Sequence, residues 1–160
     1  MDIVNELKNF PLLKKLSDSD LEALSTYVKE EKFNTNDDII KEGDIGDTLY
    51  LLISGSVDVI KTTIYDDEFV CASLNSNMHC LFGEMAVIDD DKRSATIKAK
   101  TECITLSLNK EGFNDFCNKH PHAGIELLKL MNTNIVRNLR IENDNLKLVY
   151  QALIEEIENN

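Results

Sequence analysis

The sequence predicts a mainly β domain, with short helices before it and a long helix after it. Three observations lead there. From Phe33 to Leu108, short β-rich runs alternate with clusters of Gly, Asn and Asp. Ahead of that span, apolar residues fall at helical spacing behind capping residues. After Pro121, apolar residues recur every three or four positions almost to the end of the chain.

In chain order, Ile3, Val4 and Leu7 share one helical face. Ser17 precedes Leu21, Leu24 and Val28, and Asp20 sits three positions after it. That is a capping-box-like start, although Asp is shorter than the Glu the box favours. With Pro11 between them, two short helices occupy residues 1–32.

The strand candidates are Ile39-Ile40, Leu49–Ile53, Val57–Ile64, Glu68–Leu74, Ser94–Ala99 and Cys103–Leu108. Regular strands with frequent turn signals imply a closed or double-sheet β structure over residues 33–108. Asp66-Asp67 marks a hairpin tip, and Asp89-Asp90-Asp91 reads as a solvated turn.

Residues 109–160 read as C-terminal helices. Asn109 to Cys117 is a short helix with Phe113 and Phe116 on its apolar side. Pro121 suits the first position of the next, which can run to Ile157. Ile125, Leu128, Asn132, Ile135, Leu139, Glu142, Leu146, Val149, Leu153 and Glu156 follow alternating three- and four-residue spacing. Seven of these ten are apolar, so the helix can pair with its copy as a coiled coil. The competing reading folds it back on the β structure, or breaks it near Glu142-Asn143-Asp144-Asn145.

The bulk properties bound the function. At 160 residues the chain is expected to be one domain, 1–160. With 29 acidic against 17 basic residues its net charge is −12 and its pI about 4.6. A duplex nucleic-acid footprint wants a basic face, and an anionic membrane surface wants the same. Neither nucleic acid nor membrane is therefore expected as a partner. The N-terminus lacks a basic start followed by an apolar run, and no stretch approaches a membrane span. A cytoplasmic location is expected. The four cysteines show neither CxxC nor His-paired spacing, so reduced thiols and no metal are expected.

The run Phe82 to Ala99 reads FGEMAVIDDDKRSATIKA and carries the chemistry. Arg93 is the first arginine of the chain. One fixed guanidinium fork and one carboxylate, Glu84, suit a ligand with one anionic group and one hydroxyl. Gly83 admits a close backbone approach. The Glu84-Met85-Ala86 segment can begin a short helix whose first N–H groups face an anion.

FGEMA followed by RSAT resembles the phosphate-binding cassette of cyclic nucleotide-binding domains. IIKEGDIGDTLYLLISGSVDVIK, Ile39 to Lys61, is similar to that family's strand–turn–strand signature, with Gly43, Gly46 and Gly55 at its turns. The likeness runs from about Leu12 to the start of the long helix. It implies a cyclic nucleotide-binding β-roll, a double-stranded jelly roll. It implies a sensor module for cAMP, or less favoured cGMP, that signals through its C-terminal helix to an effector protein; the acidic charge and the stop at Asn160 add the expectation of no DNA-reading domain. In that frame Glu84 accepts the ribose 2′-hydroxyl. Arg93 pairs with the phosphate, aided by Ser94 and by backbone around Gly83, Glu84, Met85 and Ala86. Val59 and Leu74 wall the base. Asn134 and Asn138, four apart on the last helix, face the purine edge. A homodimer through the C-terminal helix is expected from the apolar seam read above.

One stretch departs from the pattern. Before FGE the family carries a short glycine-containing turn, whereas Leu74 to Leu81 is longer and has no glycine. Asn75 or Asn77 is the candidate for the left-handed turn there. Two other readings compete: a degenerate adaptor that binds nothing, and a haem sensor using His79-Cys80 on this loop. No nucleophile–base pair stands out, so no catalysis is expected.

Overall fold

A computed structural model of the protein describes residues 1–89 and 91–158. Asp90 of the expected acidic turn, and the last two positions of the 109–160 segment, lie outside the described residues.

Polar caps set the helix starts. Asp2 accepts from the Asn5 N–H at 3.2 Å and opens α1 (Ile3–Asn9). Pro11, with fixed φ and no N–H, opens a 3₁₀ turn, Pro11–Leu13. At α2 (Asp18–Ser25) the capping box closes in both directions. Ser17 Oγ accepts the Asp20 N–H at 3.2 Å, and Asp20 Oδ2 accepts the Ser17 N–H at 3.1 Å. The shorter acid is long enough.

Among the described residues eight strands form two four-stranded sheets. They are β1 (Lys29–Phe33), β2 (Asp38–Ile40), β3 (Thr48–Ser54), β4 (Ser56–Thr62), β5 (Glu68–Asn75), β6 (Leu81–Phe82), β7 (Thr96–Ala99) and β8 (Cys103–Asn109). One sheet has the order β1-β8-β3-β6, the other β2-β7-β4-β5. Every pairing of these strands is antiparallel. This is the expected β-roll. β1 lies partly inside the stretch expected to be helical. Its sequence, Lys-Glu-Glu-Lys-Phe, has no apolar alternation. It is an edge strand held by register with β8 from Lys29↔Ser107 to Phe33↔Cys103; Lys29, Glu30 and Lys32 are exposed, while Glu31 accepts from the Ser107 hydroxyl. β4 stops at Thr62 because Ile64 and Tyr65 stand out at the hairpin tip, where Asp66 takes φ 64.

The sheet β1-β8-β3-β6 is covered on both faces. Along β3, Leu49 and Leu51 join the cluster under the helices, while Tyr50 and Leu52 join the cluster between the sheets. The inter-sheet core also takes Ile39, Ile40, Val57, Phe82 and Ile97. The outer core packs Leu7, Leu24 and Leu106 against Phe116 and Met131. Phe116 and Phe113 come from α4 (Lys110–Lys119), which Asn109 caps by accepting the Gly112 N–H at 2.9 Å. Each such burial contributes about 1.5–3 kcal/mol.

Helix α5 (Pro121–Glu158) is continuous through Glu142–Asn145, as the long-helix reading expects, and the break of the competing reading does not occur. Its first turns do fold back on the roll, burying Ala123, Leu127, Leu130, Met131 and Asn134. From Val136 to Glu158 every residue is exposed, including Leu139, Leu146, Val149 and Leu153 of the apolar seam.

The loop before β6 departs from expectation in detail. Ser76–Met78 form a 3₁₀ turn, and the left-handed residue is His79 (φ 45, ψ 48). Asn75 is extended, with φ −135, because it ends β5, and Asn77 lies within the turn. The C-cap of a helical turn is where a left-handed residue relieves unpaired carbonyls.

Candidate ligand-binding site

Gly83 leaves β6 with φ 77, which turns the chain so that Glu84 starts α3 (Met85–Ile88). Space also demands glycine here. A Cβ would meet Arg93 Nη1, Ile40 Cδ1 and the Thr48 carbonyl, each at 2.9 Å. In α3's first turn the Val87 N–H donates to the Glu84 carbonyl at 3.1 Å, and the Asp89 N–H that follows the helix donates to the Met85 carbonyl at 2.9 Å.

Arg93 is held by main chain at both ends. Its N–H donates to the Asp44 carbonyl at 2.9 Å, and its carbonyl accepts from the Gly43 N–H at 2.9 Å. Its Nη1 donates to the Gly83 carbonyl at 3.0 Å and its Nη2 to the Thr48 carbonyl at 2.8 Å. Burial pushes its pKa down, while Tyr50 and Asp47 push it back up. A guanidinium stays charged under such opposing effects. Gly46 lies flat beneath this head: a Cβ there would come within 2.2 Å of Arg93 Nε.

Glu84 is 5% exposed. Burial raises its pKa; its own backbone N–H, Asn134 and the positive charge of Arg137 oppose that rise. Among the described residues no ion pair joins Glu84 to Arg93. The two charges are held separately, and both border one cavity.

That cavity measures 440 Å³, within the range of small-ligand pockets. Gly83, Glu84, Met85, Ala86, Arg93 and Ser94 line it from the FGEMA…RSAT run. Val59 and Leu74 line it from the β4–β5 hairpin, and both are half-buried. Asn134 and Asn138 line it from α5. All ten residues singled out in the sequence therefore meet at one place.

Asn134 is engaged differently from the expectation. Its amide does not stand free for a purine. Nδ2 donates to Glu84 Oε1 at 2.8 Å, and Oδ1 accepts from Arg137 Nη2 at 2.6 Å. The Asn138 side chain makes no hydrogen bond among the described residues and keeps both functions of its amide.

His79 and Cys80 lie on opposite sides of their loop. Cys80 is buried and lines the cavity. His79 packs edge-on against Phe10, with centroids 5.6 Å apart, and faces a separate cleft with Glu6 and Asn9. The structure thus does not assemble the pair as ligands to one iron. Among the described residues no group of three or more His, Cys, Asp or Glu could hold a metal ion.

The sequence reading missed Arg137, Lys61, Cys71 and Glu142, which also line the cavity. Arg137 had one signal. After Arg93 the next arginines, Arg137 and Arg140, both fall on the helix that lids the site. Among the described residues no helix is long and apolar enough to cross a membrane.

Comparison with known proteins agrees with this geometry. Residues 30–120 match the family model of the cyclic nucleotide-binding domain. A cAMP-dependent protein kinase regulatory subunit from Eremothecium gossypii is 36% identical over 107 residues, 67% of this chain and 22% of that protein. The cGMP-dependent protein kinase 2 of Homo sapiens is 34% identical over 112 residues, 69% of this chain and 14% of that one. The chain spans less than a quarter of either relative's length. The crystal structure of a cyclic nucleotide-binding domain from Methylobacillus flagellatus KT shares the fold. Its TM-score is 0.81 at 22% identity, over 89% of this chain and 81% of that one. The family match covers more than half of the chain and contains the strand signature, Glu84 and Arg93, and so the chain belongs to the cyclic nucleotide-binding domain family.

Proposed function

We propose that the chain is a cytoplasmic, non-catalytic sensor module that binds cAMP in preference to cGMP. It passes the signal to an effector protein through the position of α5. The observation that carries this reading is the separation of Glu84 from Arg93. An ion pair between them would leave neither for a ligand. Instead, carbonyl oxygens and Gly46 seat the guanidinium, Asn134 seats the carboxylate, and both border the same cavity. Arg93 supplies donors to the cyclic phosphate, and Glu84 accepts the 2′-hydroxyl. Val59 and Leu74 cover the base, and Asn138 meets its edge. The names of both kinase relatives carry a cyclic nucleotide, which supports the ligand class.

Signalling follows from Asn134, which sits on α5 and touches Glu84. A ligand that engages Glu84 changes what α5 gains by staying seated. The shift equals the ligand's differential affinity for the two seatings. The exposed seam from Leu139 to Leu153 suits a homodimer formed through α5.

Thermal unfolding with cAMP, cGMP, AMP and no ligand tests the reading, on wild type, Arg93→Ala and Glu84→Ala. A ligand at a hundredfold excess over Kd stabilises by about 2.7 kcal/mol. The expected result is a rise in Tm with cAMP that exceeds the rise with cGMP and is lost in both variants. No rise with either cyclic nucleotide at millimolar concentration would sink it and leave the adaptor reading.

A further inference from the structure

The buried carboxylate of Glu84 takes its side-chain hydrogen bond from a neutral amide, Asn134. An amide has a donor side and an acceptor side of nearly equal shape, so a polar slot accepts it either way round. Only the donor side suits an ionised carboxylate, which accepts and never donates. Something must fix the facing, and Arg137 does so. A guanidinium only donates. Its Nη2 lies 2.6 Å from Asn134 Oδ1, which holds the amide oxygen away from Glu84. The amide nitrogen is thereby turned to Glu84 Oε1 at 2.8 Å and towards the Leu81 carbonyl at 3.5 Å. Asn134 and Arg137 are three apart on one helix face, so the pair travels with α5.

We infer that Arg137 is a positioning residue. By fixing the Asn134 amide it holds Glu84 as an oriented acceptor for a ligand hydroxyl, and so sets the preference for ribose over deoxyribose. The inference rests on the cyclic nucleotide reading above. Each carboxylate oxygen has two acceptor sites, so Glu84 Oε2 keeps room for that hydroxyl while Oε1 serves Asn134. Burial raises the pKa of Glu84, and Asn134 and Arg137 oppose it, in keeping with a relay that favours the ionised form. The other charges bordering the cavity are Lys61, Lys92, Arg93 and Glu142, with the thiols of Cys71 and Cys80.

The test measures Kd for cAMP and 2′-deoxy-cAMP on wild type, Arg137→Lys and Arg137→Met. The ratio of the two constants is insensitive to the fraction of folded protein. A hydrogen bond to a charged acceptor predicts a ribose preference of about tenfold or more in wild type. Arg137→Met is expected to cut it to about twofold, and Arg137→Lys, still a donor-only cation, to retain part of it. An unchanged ratio in Arg137→Met overturns the inference while the cyclic nucleotide reading stands. Wild type that binds neither nucleotide overturns both.

A second measurement needs no ligand. Carboxyl-carbon NMR titration of Glu84 is expected to show its midpoint at higher pH in Arg137→Met than in wild type. An unmoved midpoint overturns the relay even where nucleotides bind.

Discussion

Gly46→Ala tests the seating of Arg93 more directly than removing the arginine does. The three atoms nearest to a Cβ at position 46 are Arg93 Nε, Nη2 and Cζ, at 2.2, 2.6 and 2.7 Å. Ordinary contact begins near 3.4 Å, so the head must retreat by about 1.2 Å. Gly46 is outside the left-handed region, so the substitution adds a steric conflict without backbone strain. The retreat stretches the bonds to the Gly83 and Thr48 carbonyls, now 3.0 and 2.8 Å, beyond hydrogen-bond length. Losing a charge-assisted contact to the phosphate costs about 1.5–3 kcal/mol, which is about 10–150-fold in Kd. Stability changes less, because water can replace the carbonyls around a half-buried guanidinium. A loss of about 1–2 kcal/mol lowers Tm by about 2–8 °C. Isothermal calorimetry with cAMP, on Gly46→Ala, Arg93→Ala and the double variant, reads the effect. Once Arg93 is alanine, the conflict at position 46 is gone, and Gly46→Ala is expected to add nothing further. Wild-type affinity in Gly46→Ala, or an equal loss in the Arg93→Ala background, refutes the reasoning.

Three other outcomes are expected. Glu84→Gln should melt higher than wild type at pH 7 without ligand, by about 2–4 °C for each kcal/mol. Burial raises the pKa of Glu84, so its contribution to stability is full below the ordinary carboxylate pKa and is lost as pH rises through the raised one. The gap between the two proteins should therefore close on acidification, and a gap that widens counts against a buried, strained carboxylate. Thr105 Oγ1 is buried with no hydrogen-bond partner among the described residues, so Thr105→Val should raise Tm by about 2–4 °C for about 1 kcal/mol, and a fall in calorimetric Tm would show a hidden partner. Leu146→Asp with Val149→Asp should convert a dimer to a monomer in sedimentation, and a monomeric wild type removes the seam's proposed role.

The chain's own pattern determined most of the architecture, because local chemistry specifies it. Strand alternation, the Ser17 cap and Pro121 each act over a few residues; the cap and the long helix's start appear where they were read, while the strands read as Val57–Ile64 and Ser94–Ala99 end at Thr62 and begin at Thr96. The FGEMA…RSAT run is also local, so Glu84 and Arg93 could be named from their side-chain chemistry and from the run's resemblance to a phosphate-binding cassette. Three things needed the tertiary structure. β1 is a strand only because β8 pairs with it; its charges carry no pattern. The left-handed residue is His79 because the Ser76–Met78 turn ends there and Phe10 receives its ring. Asn134 answers to Glu84, fifty residues away, and to Arg137, whose cation has no meaning until α5 is laid over the cavity. A side chain's hydrogen-bond partner is set by which surfaces meet in space, and the contacts across the site join elements distant in sequence. That is why the residues of the site were legible one by one, and the order in which they hold each other was not.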